Sequence, residues 1–301
     1  MRHVKHRPII AAHAGAGSPN AYSDGTQRAV QEALRVLKKT KSPLKAVIAG
    51  TVILENDPRF NAGTGANLRM DGQTIEMDSA VMDSDGNCGA VACIQMVKNP
   101  VLVAELVART PHVLMCGEGA VEFARLHKVP VYNPITPKAM ERFSAAKARL
   151  VHKKISYQPK YGFESLHNKS RGCDTVGVVV SDGCGNFAAA TSTGGISYMT
   201  RGRIGDSPLV GCGIYVGKSG AVVATGIGEE IIRRLLSKQV YDRMENGMTA
   251  QEACEWGLTL FKNPSKSLKK CYQKVPVGIV AVNLTGYGIV ATQQMARGVL
   301  S

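Results

Sequence analysis

The chain has 301 residues, 44% of them hydrophobic, and its 37 Lys and Arg residues exceed its 23 Asp and Glu residues, for a net charge of +14. This length allows one large domain or two small ones, and this apolar content excludes a disordered protein. The longest apolar runs fall far short of the roughly 18 residues that span a bilayer. The basic start precedes an apolar run too short for a signal peptide, so we expect a globular protein with no membrane partner.

The eight cysteines indicate a reducing compartment. They form no Cys-x-x-Cys pair and no Cys/His cluster with the spacing of a zinc site, and several lie within apolar runs. Free, buried thiols in the cytoplasm are therefore the expectation, without a catalytic metal.

The first half of the chain mixes strands and helices. Residues 22–39 and 43–55 place apolar side chains at helical spacing, whereas residues 75–81 alternate apolar and polar side chains as strands do. The predicted order is strand 8–13, helices 22–39 and 43–55, strands 75–81 and 89–97, helix 100–109, strand 113–116 and helix 118–127.

Residues 130–171 differ from what precedes them. They contain several prolines, and their apolar side chains show only weak periodicity, which predicts a long irregular connection. Such a long loop is uncommon inside a compact domain and usually has a function. Between positions 144 and 171 there are seven basic residues and one acidic residue, with aromatic side chains in or beside the stretch. Basic residues interleaved with aromatics also occur in RNA-binding segments, but a solvated linker is the favoured interpretation, so nucleic acid is not an expected partner.

The second half begins again with strands. The predicted elements are strands 175–181, 186–192 and 221–225, helices 228–244 and 249–262, and strands 276–283 and 286–292. Blocks of strands alternating with blocks of helices favour sheets with helices packed outside them.

Three threonines of the second half lie at strand ends or in glycine-rich turns. Thr175 precedes an apolar run, Thr193 is followed by two glycines, and Thr225 is followed by Gly226. At such places hydroxyl groups and backbone N–H groups can face a ligand. Each threonine taken alone is a weak functional signal. The set of motifs around the three threonines, in this order, is a much more specific signal. The motifs are Asp-Thr-Val-Gly at 174–177, Thr-Ser-Thr-Gly-Gly at 191–195, Gly-Arg-Ile-Gly-Asp-Ser-Pro at 202–208 and Thr-Gly-Ile-Gly-Glu at 225–229.

This series of motifs resembles the plant-type L-asparaginase/isoaspartyl peptidase family of N-terminal-nucleophile hydrolases. The first half is similar to the same family at His13–Gly17, at Phe60–Gly63 and at Glu76–Asp83, and the resemblance covers about residues 9–130 and 172–292. It implies an α+β fold built as a four-layer αββα sandwich.

The resemblance also implies self-cleavage between Asp174 and Thr175. The products would be an α subunit, 1–174, whose basic tail at 142–174 is flexible, and a β subunit, 175–301, which together form one αββα domain. The long segment before Thr175 then has a reason, since its end must leave the site. The expected assembly is a homodimer of cleaved αβ units, a heterotetramer of chains.

By position in the motifs, Thr175 matches the nucleophile. A threonine hydroxyl needs a base, and the α-amine freed by cleavage can serve because its pKa of ~8 leaves part of it neutral near neutral pH. The resemblance implies that Thr193 orients this hydroxyl. It also implies that Thr225 and Gly226 form the oxyanion hole.

The same resemblance assigns substrate binding. Arg203 and Asp206 match the residues that grip the α-carboxylate and the α-amino group of a free amino acid, for which an Arg fork and an opposite charge are suited. Gly228 is expected to contribute a backbone contact. Asn61 is assigned to substrate binding as well, and it lies in a loop that in the family wraps a structural sodium ion through backbone carbonyls.

The expected activity is hydrolysis of L-asparagine and β-aspartyl dipeptides through an acyl-threonine, with no organic cofactor. A threonine-aspartase-like endopeptidase or a glycosylasparaginase of the same fold is the alternative, because Ala14 resembles the first of these branches and Asp174 resembles both. Thr193 and the Asp206-Ser207-Pro208 sequence keep the asparaginase pattern. A catalytically silent RNA-binding protein would instead remain uncut.

Some polar residues are interpreted as structural. His13 is one, because the terminal amine supplies the base. Asp78 and Asp83 lie on or beside an alternating strand, and His112 and Glu118 have no third ligand for a metal.

Overall fold

A computed structural model describes residues 6–151, 175–262 and 275–301. The strands are β1 (Ile9–His13), β2 (Met77–Asp83), β3 (Cys88–Ile94), β4 (Leu114–Cys116), β5 (Val176–Ser181), β6 (Phe187–Thr193), β7 (Ile214–Gly217), β8 (Gly220–Gly226), β9 (Val277–Val282), β10 (Tyr287–Ala291) and β11 (Arg297–Leu300). The helices are α1 (Ser23–Thr40), α2 (Pro43–Asn56), α3 (Pro100–Val107), α4 (Gly117–Leu126), α5 (Pro137–Val151), α6 (Gly228–Arg234), α7 (Leu236–Glu245) and α8 (Ala250–Thr259).

The strands form two sheets. One has the order β11-β1-β5-β6-β2-β3-β4, and the other has the order β10-β9-β8-β7. Strand β5 lies inside the larger sheet, paired antiparallel with β1 on one side and β6 on the other. Both of its backbone edges are therefore hydrogen-bonded, and the start of β5 is held rigidly.

Three apolar cores separate four layers. The first lies between α1, α2 and α3 and the larger sheet, the second lies between the two sheets, and the third lies between the smaller sheet and α6, α7 and α8. Both faces of β5 are buried, because Val178 and Val180 belong to the first core and Val179 belongs to the second. A strand covered on both faces needs apolar side chains at every position. The predicted four-layer αββα sandwich of the α+β class is confirmed.

Most predicted elements are found within a few residues of their expected bounds. The single helix expected at 228–244 is two helices, because Leu235 adopts the left-handed conformation (φ 46°) between α6 and α7. Strands β7 and β11 were not predicted; each has four residues, too few to establish a period of two.

The prediction of an irregular connection over residues 130–171 is wrong in part. Residues Pro137–Val151 form α5, which overlaps the expected flexible tail at 142–174. Phe143 of this helix packs against Tyr198 with ring centroids 5.3 Å apart, so tertiary contact supports a helix whose sequence pattern is weak. Residues 152–174 lie outside the described residues. Within the described residues, none of the helices is both long enough and apolar enough to cross a bilayer.

Candidate active site

The nucleophile predicted from sequence lies where β5 begins and β6 ends. Val176 is paired with Ser192, so Thr175 and Thr193 are neighbours on adjacent strands. The Oγ1 of Thr175 donates a hydrogen bond to the Oγ1 of Thr193 at 3.2 Å. The Oγ of Ser207 is 3.5 Å from the same Thr175 oxygen. All three side chains are buried, so water does not compete freely for these hydroxyls.

Thr193 is itself held by the turn that follows it. Its Oγ1 accepts a hydrogen bond from the N–H of Gly195 at 3.0 Å. The Nδ2 of Asn61 donates to the carbonyl of Gly195 at 2.6 Å, and the N–H of Gly194 donates to the carbonyl of Asn61 at 2.9 Å. A Cβ at position 194 would lie 2.5 Å from Asn61 Oδ1, so only glycine fits there. Asn61 is therefore placed to fix the turn beside the site.

Thr225 and Gly226 reach the site from the other sheet, at the end of β8. The Oγ1 of Thr225 accepts a hydrogen bond from the N–H of Ala16 at 3.4 Å, which links the turn after β1 to the smaller sheet. Gly226 has φ 147°, and a Cβ there would lie 2.4 Å from the carbonyl oxygen of Pro276. A side chain at this position would thus displace the backbone that presents both residues.

Arg203 and Asp206 place opposite charges in the same cavity. Burial disfavours the charge on Arg203, but Glu229 raises its pKa above the ordinary value. The Nε and Nη2 atoms of Arg203 donate to the two Glu229 oxygens at 3.0 and 2.9 Å. Burial raises the pKa of Asp206 to about 7, against the attraction of Arg203. The Asp206 Oδ2 atom is buried without a hydrogen-bond partner among the described residues, so it is ready for a cationic ligand.

Five of the predicted residues line one small, partly enclosed cavity: Thr175, Thr193, Arg203, Asp206 and Gly226. The predicted residues Thr225, Gly228 and Asn61 are not among those that line it. Gly228 lies beside it, since a Cβ there would meet Arg203 Nη2 and Asp206 Oδ1 at 2.9 Å each. The lining residues are Thr175, Thr193, Gly195, Ile196, Arg203, Gly205, Asp206, Ser207 and Gly226.

His13 lies behind the nucleophile and is held neutral. Burial lowers the pKa of His13 to about 3, although the backbone of Thr175 acts in the opposite direction and raises it. Its Nδ1 accepts a hydrogen bond from the N–H of Gly15 at 3.2 Å, which occupies the lone pair of the neutral ring. The geometry supports the structural interpretation of this histidine.

Asp78 ties two site segments together and has no contact with the nucleophile. Its two oxygens accept hydrogen bonds from the N–H of Cys93 at 2.8 Å and from the N–H of Gly205 at 3.3 Å. Asp83 accepts N–H groups of its own turn. Across the described ranges, no group of three or more His, Cys, Asp or Glu side chains could hold a metal ion.

Two residues of the site were not given a role from sequence. Ser207 contacts the nucleophile because the Oγ1 of Thr191 holds its carbonyl at 2.8 Å. Glu229 pairs with Arg203 across 26 positions of sequence. Both stand within the quoted motifs, but their partners are distant in sequence, so the motifs alone could not reveal the contacts.

In the loop before β2, backbone carbonyls lie close to two glycines. Gly63 and Gly65 approach backbone carbonyls closely: Cβ atoms there would lie 2.5 Å from the Glu55 oxygen and 1.8 Å from the Phe60 oxygen. The carbonyl of Pro58 lies 3.0 Å from the latter position. Carbonyl oxygens are hard ligands, the type that suits the hard cation implied by the resemblance.

The sandwich fold and the threonine-lined cavity fit an amidohydrolase, and the family match shows that class. Comparison with known proteins places it further: the family model described as Asparaginase matches residues 7–300, and the chain belongs to this family. A plant-type L-asparaginase of Pyrococcus horikoshii is 38% identical over 92% of this chain and 90% of its own length. An isoaspartyl peptidase/L-asparaginase of Mus musculus is 36% identical over 92% and 82%. An N(4)-(β-N-acetylglucosaminyl)-L-asparaginase of Elizabethkingia miricola is 35% identical over 87% and 74%.

Proposed function

We propose that this chain cuts itself between Asp174 and Thr175 and then hydrolyses L-asparagine and β-aspartyl dipeptides. The observation that carries the proposal is the hydroxyl pair of Thr175 and Thr193, 3.2 Å apart at the wall of a cavity that also contains Arg203 and Asp206. A nucleophile and the two groups that recognise an amino acid thus share one small space. Asp174 itself lies outside the described residues.

The proposed reaction has two halves. The α-amine of Thr175 takes the hydroxyl proton, and the oxygen attacks the side-chain amide carbon of the substrate. The negative charge that develops on the carbonyl oxygen is stabilised by Thr225 and the backbone N–H of Gly226. The C–N bond breaks, the proton goes to the leaving amine, and an aspartyl ester of Thr175 remains. Water then cleaves this ester and releases L-aspartate.

Arg203 and Asp206 orient the substrate in this scheme. Arg203 faces the α-carboxylate, while Glu229 holds the guanidinium through two of its nitrogens. Asp206 receives the α-ammonium group. Their fixed separation from Thr175 selects a carbonyl at the β position, which accounts for both asparagine and β-aspartyl peptides.

The threonine-aspartase-like endopeptidase and the glycosylasparaginase remain the alternative. Assays with L-asparagine, a β-aspartyl dipeptide, a glycosylated asparagine and a long aspartyl peptide separate the candidates by kcat/KM. Preference for either of the last two substrates would replace the main proposal by the alternative.

Self-cleavage is tested by mass. After long incubation, purified protein should give two fragments that correspond to 1–174 and 175–301, with Thr175 at the new N-terminus by Edman sequencing. Asparaginase activity should increase in proportion to the cut fraction, because the base is freed only by cleavage. Full activity in an intact chain would contradict the proposal.

The affinity for L-aspartate should depend on pH through Asp206. With its pKa raised to about 7, the carboxyl gains a proton as the pH falls from 8 to 6 and loses the charge that holds the ligand's ammonium group. Below about pH 7 the inhibition constant of L-aspartate should therefore rise, by up to about tenfold per pH unit.

Asp206→Asn is the control for this pH effect. The variant should bind L-aspartate weakly with no inflection near pH 7. An inhibition constant that stays level from pH 8 to 6 in the unmodified enzyme would exclude the assignment.

We further propose that the carbonyls of Glu55, Pro58 and Phe60 hold a sodium ion that stabilises the loop carrying Asn61. Replacing sodium by choline in the buffer should lower Tm and weaken activity, and returning sodium should restore both. An unchanged Tm would exclude the ion.

We also propose a cytoplasmic enzyme that assembles as a homodimer of cleaved αβ units. The free state of the six cysteines within the described residues supports a reducing compartment. Light scattering of the native protein should give twice the mass of one chain.

A further inference from the structure

Arg69 is the largest side chain that is fully buried in the described part of the chain. It lies in the approach to β2, beyond the turn that contains Gly65. Its Nη2 donates to the carbonyl of Glu76 at 3.1 Å and to the carbonyl of Arg203 at 3.3 Å. Its Nε lies 3.2 Å from Glu76 Oε2, within an ion pair that is almost completely buried.

Strand β2 and the segment before it hold residues 202–205 at three points. The N–H of Gly202 donates to Glu76 Oε2 at 2.7 Å, and the N–H of Gly205 donates to Asp78 Oδ2 at 3.3 Å. Between them, the carbonyl of Arg203 accepts from Arg69. The backbone of Arg203 is therefore fixed on both sides and at its own carbonyl.

The same guanidinium also lies against Gly195, which lines the cavity. The Nη1 of Arg69 would lie 2.7 Å from a Cβ at position 195, so the group fills the space behind Gly195. Gly195 lines the cavity and donates its N–H to Thr193. One buried cation thus contacts the backbones that present a substrate-binding residue and the partner of the nucleophile.

Burial of such an ion pair brings little net stability, because the desolvation of both charges offsets their attraction. Apolar side chains could fill the same space at no such cost. The pair does what apolar side chains cannot: it donates directional hydrogen bonds to a loop carbonyl and accepts one from a loop N–H group.

We infer that Arg69 is a positioning residue for substrate recognition, acting through the backbone of Arg203. It sets where the Arg203 guanidinium meets the α-carboxylate, whereas Glu229 sets the orientation of that guanidinium. The inference rests on the proposed function only in taking Arg203 as the carboxylate-binding group.

Arg69→Met tests this role through a split between KM and kcat. KM for L-asparagine and the calorimetric Kd of L-aspartate should both rise by about tenfold, the equivalent of one charge-assisted hydrogen bond. The kcat should stay within about threefold, because Asn61 still fixes the turn at Gly195 that holds Thr193. Arg69→Lys retains the charge beside Glu76 but not the planar guanidinium. Its KM and Kd should lie between those of the wild type and those of Arg69→Met.

Two further variants separate this role from a general loss of stability. If Arg69→Met does not fold, Arg69→Met combined with Glu76→Gln leaves no unpaired buried carboxylate and keeps an acceptor for Gly202. Arg125→Met is the matched control: Arg125 also donates to loop carbonyls, those of Met96, Val129 and Pro130. This control should leave KM and Kd unchanged even if it lowers Tm.

The outcomes distinguish this inference from the proposed function. A wild-type protein that hydrolyses neither asparagine nor β-aspartyl dipeptides defeats the proposed function, and the L-aspartate Kd of the variants still decides the role of Arg69. If the wild type is active and the folded Arg69 variant keeps KM and Kd within twofold of the wild-type values, the inference alone is wrong. It is also wrong if Arg125→Met raises KM by as much as the Arg69 variant does.

Discussion

Thr175→Ala should leave the chain uncut and without measurable asparaginase activity. The substitution removes the only oxygen that the proposed mechanism can use for both self-cleavage and substrate attack, and loss of a catalytic nucleophile costs roughly 10⁴–10⁶ in turnover. Denaturing electrophoresis should show a single band after incubation that converts the unmodified protein to two. Ammonia release from L-asparagine should fall to the background rate.

Thr175→Ser is the matched control because it keeps the oxygen and loses only the methyl group. The β-methyl restricts χ1 and so helps aim the hydroxyl, so the serine variant should cleave and hydrolyse more slowly but detectably. A Thr175→Ala protein that still splits at this bond and still releases aspartate would refute the assignment of the nucleophile.

Arg203→Met should raise KM for L-asparagine by roughly 10²–10³ and leave self-cleavage nearly unchanged. The substitution removes a charge-assisted contact to the α-carboxylate and leaves Asp206 buried without its neighbouring cation, which together are worth about 3–4 kcal/mol. Cleavage proceeds on the chain's own peptide, which has no free α-carboxylate for Arg203 to bind. The two activities of one nucleophile should therefore respond differently.

Arg201→Met provides the control for this substitution. Arg201 lies two positions away but its side chain is 62% exposed, with its Nε 3.7 Å from Glu76, so its loss should change KM by less than about twofold. If Arg203→Met and Arg201→Met gave the same KM, the recognition role of Arg203 would be excluded. If Arg203→Met prevented cleavage, the expectation that self-cleavage does not need the Arg203 side chain would be wrong.

The arrangement of the site explains how one small cavity would serve both proposed reactions. Thr175 and Thr193 come from the larger sheet, Thr225 and Gly226 come from the smaller sheet, and the Arg203 segment lies between them. Each sheet is rigid because its strands are paired and both faces are packed. Precise placement of hydroxyls and N–H groups is what acyl transfer requires, since donors must already point at the charge that develops.

Much of the fold follows from local patterns. Strand β5 is a continuous apolar run because both of its faces are covered, and α2 begins at Pro43 because the preceding Ser42 accepts a hydrogen bond from the N–H of Lys45. Such signals lie within a few residues of one another, so they can be recognised in a single sequence. Strands β7 and β11 lack them, since four residues against a neighbouring strand depend on that neighbour for their conformation.

The periodicity of apolar side chains in the amino-acid sequence predicted most of the strands and helices. The resemblance of its short motifs to a known family implied the class of protein, the four-layer architecture, the candidate nucleophile and five of the nine residues that line the cavity. Only the tertiary structure decided which side chains meet: Glu229 with Arg203, Ser207 with Thr175, and Arg69 in the interior, where a polar loop residue is not expected unless it is paired. Those contacts join segments that are distant in the chain, and whether a buried charge finds its partner is settled by how the two sheets and their loops pack.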